Sequence, residues 1–197
     1  MIIVLALIFL VYFLLPQYQR PVVFHNMLTE DECEYIKKAA LPNLQPSTVG
    51  GNHEVVKNIR QSETAWLDAR DPVVAGVVKR CLKHVDRPMD NCEKLQVLRY
   101  KPGGFYKPHY DAFEHGINPR MYTFIFALNE DYEGGETAFP RIKKEYKLKK
   151  GDCLLFENLD NYELITGRAY HGGKPVKSGE KWVCNLWVHK HPYNGMQ

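Results

Sequence analysis

The stretch "YKPHYDAF" at 106–113 places His109 and Asp111 two positions apart, framed by aromatic residues. On a strand, residues i and i+2 leave the same face, so this imidazole and carboxylate could converge on one point. Two ligands of one metal ion would sit that way. A polar pair at the end of an ordinary strand has the same spacing, and these two residues alone do not choose.

A facial metal site of two histidines and one carboxylate needs a second histidine from a distant strand. It leaves three positions open for co-substrate and oxygen, the arrangement that non-haem Fe(II) chemistry requires. His171 in "RAYHGGKPV" is the candidate, because it lies at a predicted strand end and precedes two glycines that let the backbone run close to a site. Lys181 follows in "GEKWVCNLW". A lysine entering an apolar strand beside tryptophan is unusual, and its burial becomes tolerable if the ammonium meets an acid ligand's carboxylate. Taken singly, His171 also reads as a turn histidine and Lys181 as an edge residue snorkelling to solvent. The order His109, Asp111, His171, Lys181 on a strand-rich background favours the metal reading.

Strands must carry these residues. From Lys94 onward the chain reads as "KLQVLRY", "YKPHYD", "MYTFIFALN", "GETAFP", "EYKLKK", "DCLLFEN", "RAYHGG" and "KWVCNLWVHK", with breaks rich in Gly, Pro, Asn and Asp. Before them, "PVVFHNMLTEDECEYIKKAA" predicts a short strand and then a helix, with Thr29 and Glu32 as a capping box. A second helix is expected over 71–85, with Asp71 as N-cap and Pro72 at the first helical position. Residues 46–66 are polar and interrupted by glycine, so a mobile loop, and a candidate lid, is expected there. The fold class is therefore α+β, with N-terminal helices packed on one sheet. Eight such strands commonly close into a double-stranded β-helix, a jelly roll of the cupin type, whose mouth can hold a ligand.

The whole chain sets bounds. Its 197 residues, 45% hydrophobic and 25% charged, suit one domain with a sizeable core. A net charge of +3 argues for neither a nucleic-acid partner nor an acidic surface. The basic run "RIKKEYKLKK" reads as an edge strand guarded by lysines. Cys33, Cys81, Cys92, Cys153 and Cys184 form no CxxC pair, which excludes a cysteine zinc ribbon and disfavours a dense disulfide scaffold. Cys81 and Cys92 could bridge in an oxidising compartment, whereas Cys153 and Cys184 look like buried thiols. The apolar run at 2–15 would span ~21 Å as a helix against a ~30 Å hydrocarbon core. It is read as an uncleaved membrane anchor in preference to a cleaved signal, since no small-x-small site follows it. The expected organisation is an anchor at 1–16, a linker at 17–21 and one domain at 22–197.

From about residue 22 to residue 190 the chain resembles the prolyl 4-hydroxylase branch of the 2-oxoglutarate- and Fe(II)-dependent dioxygenases, in its compact algal, plant and viral forms. The resemblance rests on "IRQSETAWL", "QVLRYKPGGFYKPHYD", "FALNEDYEGGETAFP", "KKGDCLLFEN" and "HGGKPVKSGEKWVCNLWVH" in that order. It implies that His109, Asp111 and His171 hold Fe(II) and that Lys181 binds the distal carboxylate of 2-oxoglutarate, with Tyr100 and Thr123 at the same carboxylate end. It also implies a peptide groove of Arg60, Ser62, Glu93, Tyr106, Arg120, Trp187 and His189. Aromatic faces suit an extended polyproline II chain, although Tyr106 and Trp187 also read as core and Arg60 as a surface charge. The implied reaction is hydroxylation of prolyl C4, using O2 and ascorbate and releasing succinate and CO2. A membrane-held enzyme facing the endoplasmic reticulum or secretory lumen would meet proline-rich chains there. The same chemistry on another substrate, or a non-catalytic jelly-roll binding module, are the alternatives. Lys174 stands where many relatives have cysteine, so no family disulfide is expected at that position, and "ENLDNYELITGRAY" is irregular.

Overall fold

The structure is a computed structural model that describes residues 15–50, 54–112 and 118–195. The expected anchor lies outside the described residues apart from its last positions. Among the described residues no helix is long and apolar enough to cross a membrane.

In chain order the elements are β1 (Val22–Phe24), α1 (Glu30–Ala40), β2 (Gln45–Pro46), β3 (Arg60–Gln61), β4 (Glu63–Leu67) and α2 (Pro72–Cys81). Then follow β5 (Leu95–Tyr100), β6 (Phe105–His109), β7 (Arg120–Ala127), β8 (Glu133–Gly134), β9 (Thr137–Phe139) and β10 (Lys144–Tyr146). The chain closes with β11 (Cys153–Glu157), β12 (His171–Gly173), β13 (Val176–Ser178) and β14 (Lys181–His189). A seven-stranded sheet runs β1-β11-β7-β14-β5-β4-β2, and a five-stranded sheet runs β10-β9-β12-β6-β3. The two face each other as the expected jelly roll.

Local chemistry explains the helices. Thr29 Oγ1 accepts from the Glu32 amide at 3.2 Å while Glu32 Oε2 accepts from the Thr29 amide at 2.9 Å, so the capping box starts α1 as expected. Asp71 accepts from the amides of Val73 and Val74 and opens α2. That helix stops at Cys81, short of the expected 85. The Lys83 and His84 amides bond Arg80 and Cys81 three residues back, a tightened turn that carries the chain out of the helix.

Strand periodicity explains the layers. Trp182, Cys184, Leu186 and Val188 of β14 enter the core between the seven-stranded sheet and the helices, along with Leu95 and Val97 of β5 and Phe124 and Phe126 of β7. The alternate residues Leu98, Tyr100, Ile125 and Val183 face the other sheet. One side of these strands is thus committed to stability, and the other is available for a site.

Two expectations change. The stretch 46–66 is not a loop throughout, because β4 pairs with β5 over Glu63–Leu67 and Arg60–Gln61 pairs with β6. Its polar side chains conceal an alternation in which Ala65 is buried in the core, and the pairing partner lies far along the chain. Any lid is confined to the connection between Ser47 and Ile59, of which residues 51–53 lie outside the described ones. Cys81 and Cys92 do not bridge: all five cysteines are free. The lysine-guarded edge is as expected, with β10 at the rim of the five-stranded sheet.

Candidate metal centre and cleft

β6 ends on His109 and β12 begins on His171, and the antiparallel ladder sets these two directly opposite each other. Sixty-odd residues of chain are thereby folded so that two imidazoles are neighbours, with ring centroids 4.6 Å apart. Asp111 lies just past the end of β6, with Oδ1 3.4 Å from His109 Nε2 and Oδ2 3.7 Å from His171 Nε2. The three donor atoms all lie within 4.8 Å of one another.

The surroundings fix each donor. His109 Nδ1 donates to the Lys107 carbonyl at 2.9 Å and His171 Nδ1 to the Ala169 carbonyl at 3.0 Å. A carbonyl can only accept, so both Nε2 lone pairs are left for a metal. Thr123 Oγ1 donates to Asp111 Oδ2 at 2.8 Å, and Asn158 Nδ2 donates to Thr123 Oγ1 at 2.8 Å. Burial pushes the His171 imidazole down to about 4, against the pull of Asp111, so it is neutral at neutral pH. Burial alone would raise the Asp111 carboxyl, yet His171, His109 and Arg120 hold it well below its usual value. Two imidazoles and one carboxylate at this spacing fit a divalent first-row metal such as Fe(II).

Deeper in the same cleft, of about 420 Å³, lies Lys181. It is buried, donates to the Gly135 carbonyl at 2.7 Å and lies 5.4 Å from the Tyr100 ring centroid. Burial, with help from Lys147 and against Glu136, pushes its ammonium down to about 8. Among the described residues no carboxylate pairs with it. A buried cation in that state is suited to an anionic ligand group.

Residues 95–189 match the family described as the 2OG-Fe(II) oxygenase superfamily. Prolyl 4-hydroxylase 1 of Arabidopsis thaliana is 36% identical over 193 residues, 86% of this chain and 68% of that protein. Prolyl 4-hydroxylase 5 of the same plant is 33% identical over 88% of this chain and 69% of its own length. The viral collagen prolyl hydroxylase of Paramecium Bursaria Chlorella virus-1, solved as a 2OG complex, superposes with a TM-score of 0.72 at 30% identity, covering 87% of this chain and 96% of that one. The chain belongs to the prolyl 4-hydroxylase family of 2-oxoglutarate- and Fe(II)-dependent oxygenases. It is therefore an oxidoreductase that uses Fe(II) and 2-oxoglutarate, on a jelly roll shared with those relatives.

Most of the residues singled out in this oxygenase's sequence reach the cleft. Arg60, Glu93, Tyr106, Arg120 and Trp187 line it together with Tyr100 and Lys181. The Arg60 guanidinium sits 4.6 Å from the Tyr106 ring centroid, and that of Arg120 sits 3.6 Å from the Trp187 centroid. Glu93 accepts from Arg120 and from His189 Nε2, and both hold its carboxyl below the usual range despite burial. Ser62 and His189 stand behind the wall: Ser62 Oγ accepts from Arg60 Nε at 3.0 Å, and His189 props Glu93.

Thr123 differs from expectation. It sits opposite Trp187 in the β14–β7 ladder, six residues and roughly 20 Å along the strand from Lys181. It cannot share a carboxylate with that lysine, and its hydroxyl serves Asp111 instead.

The sequence reading missed Trp66, Gln96, Asn185 and Thr137, which also line the cleft. Gln96 and Asn185 are cross-strand partners, and Gln96 Oε1, Asn185 Oδ1 and Trp187 Nε1 are buried without a hydrogen-bond partner among the described residues. Orphaned polar atoms beside a cleft are candidate partners for a ligand. Their signal was legible: one amide inside the apolar run "LQVL" and one inside "CNLW".

Proposed function

We propose that this enzyme hydroxylates C4 of prolyl residues in extended, proline-rich peptides, with His109, Asp111 and His171 as the iron ligands. The observation that carries the reading is one cleft joining three convergent donors to a buried ammonium and an aromatic, cation-faced wall. Bound there, Fe(II) and 2-oxoglutarate supply the activation of O2, with succinate and CO2 as co-products. The chain's own residues do the positioning. Lys181 takes the distal carboxylate of 2-oxoglutarate beside Tyr100, and Leu98, Ile125 and Val183 keep water from that end of the cleft. Thr123, itself held by Asn158, fixes the carboxylate plane of Asp111.

Tyr106, stacked on His109 with Arg60 beside it, and Trp187 under Arg120 form the aromatic wall along which a polyproline II chain, which has no internal hydrogen bonds, would lie. The Trp187 indole N–H then meets a peptide carbonyl, and the Gln96 and Asn185 oxygens meet donors. Ascorbate is the reductant expected to sustain turnover. The apolar run at 2–15 supports a membrane-held enzyme facing the secretory lumen, which membrane fractionation and protease protection of the expressed chain would test.

The experiment is succinate release with Fe(II), 2-oxoglutarate, ascorbate and a panel of proline-rich peptides, with mass readout of the peptide. One added oxygen on proline, absent with Asp111→Ala, is expected. Turnover that oxidises no peptide in the panel would overturn the prolyl assignment and leave the oxygenase chemistry standing.

A further inference from the structure

In the basic run that guards the edge strand, Lys147 does not point to solvent alone. Lys147, just past β10, places Nζ 2.9 Å from the Tyr132 carbonyl and 2.8 Å from the Gly134 carbonyl, 3.3 Å from the Tyr132 ring centroid. The next carbonyl along the chain, that of Gly135, accepts from Lys181 at 2.7 Å. Two ammonium groups therefore grip successive carbonyls of one short turn, Lys147 from the protein's rim and Lys181 from within the cleft.

That turn is conformationally special. Gly134 and Gly135 have φ of +69° and +66°, which L side chains rarely adopt. A Cβ at Gly134 would come 2.5 Å from the Pro175 carbonyl, and one at Gly135 would come 3.1 Å from Lys181 Cδ. Two consecutive glycines make the turn soft, and the carbonyl that orients Lys181 depends on its shape. The Gly135 amide is held by the Pro175 carbonyl at 3.0 Å, and Glu133 and Gly134 pair with β13 on that side; the Lys147 ammonium adds a side-chain restraint through the Tyr132 and Gly134 carbonyls.

We propose that Lys147 is a positioning residue for the 2-oxoglutarate site: by capping the Tyr132 and Gly134 carbonyls it fixes the glycine turn that aims the Lys181 ammonium. This rests on the reading that Lys181 meets the co-substrate. Lys147 touches no reacting atom and acts through the turn and through its charge. The charged groups acting on Lys181 are Lys147, which disfavours its protonation, and Glu136, which favours it, with the Tyr100 ring alongside. Lys147 is exposed on the surface, and Tyr132 is the buried core residue its ammonium is shown to touch.

The test is the dissociation constant of 2-oxoglutarate, measured by calorimetry on the full chain loaded with Mn(II) from neutral to alkaline pH. For the unaltered protein, affinity weakens as pH rises past about 8, where Lys181 loses its proton. Lys147→Met is expected to weaken binding roughly three- to fivefold at neutral pH, the scale of an exposed charge interaction. It also moves the alkaline weakening to higher pH, because the neighbouring charge no longer opposes protonation of Lys181. Lys147→Arg restores both. A Lys147→Met curve that superposes on the unaltered one, a uniform weakening with the alkaline limb unmoved, or failure of Lys147→Arg to restore affinity would each overturn the proposal. Lys181→Met separates the two layers. If it binds 2-oxoglutarate normally, the underlying reading falls too; if it loses binding while Lys147→Met does not, the positioning role alone falls.

Discussion

Lys181 pulls stability and binding in opposite directions. Its ammonium is pushed from 10.5 down to about 8 by burial, so between those values the unfolded chain binds more protons than the folded one. Stability without co-substrate therefore rises with pH across that window and is lowest below it. Lys181→Met is expected to raise the unfolding free energy of the ligand-free protein at neutral pH by at most about 3 kcal/mol, seen as a higher urea midpoint, while abolishing turnover. A lowered midpoint would show that the bond to Gly135 outweighs the burial of charge. Thr123 makes a second residue-scale case, because its hydroxyl touches Asp111 and does not line the cleft. Thr123→Val should keep the fold and weaken metal binding about ten- to a hundredfold, the usual effect of losing a partner behind a ligand. Titration with Co(II), followed by its visible absorption, checks this; unchanged affinity would mean that the histidines alone orient the carboxylate.

At the scale of elements, the metal centre depends on how closely β12 approaches β6. A Cβ on Gly172 would meet Pro108 N and the Tyr106 carbonyl at 2.8 Å, whereas one on Gly173 has nothing nearer than 3.8 Å. Gly172→Ala should therefore force the strands apart, lower the melting temperature and lose metal, while Gly173→Ala should do neither. Equal effects from the two would remove the close approach as the cause. The two glycines after His171 were legible in the sequence as a mark of close backbone approach, but which of them is needed was not. The helix caps were legible because Thr29, Glu32, Asp71 and Pro72 act within one turn of where they sit. β3 and β4 were not, since Glu63–Leu67 becomes a strand by pairing with β5, and a polar surface disguises its period.

Across the whole molecule, the five thiols are free and four of them are buried. Chemical denaturation is thus expected to give the same midpoint with and without reductant, and thiol labelling of the folded chain should reach Cys92 first. A reductant-dependent midpoint would reveal a bridge that this fold does not contain. One core lies between the seven-stranded sheet and the helices and a second between the two sheets. The sequence by itself determined the donor types, the strand alternation that gives β14 a structural face and a cleft face, and the oddity of a lysine in an apolar strand. These are properties of residue identity and spacing. Tertiary structure alone decided that His171 stands opposite His109, that Thr123 serves Asp111 and lies far from Lys181, and that Ser62 and His189 buttress Arg60 and Glu93 from behind the cleft wall. Each of these depends on the register between strands distant in sequence, and register is set by the packing of whole faces, which no local spacing contains.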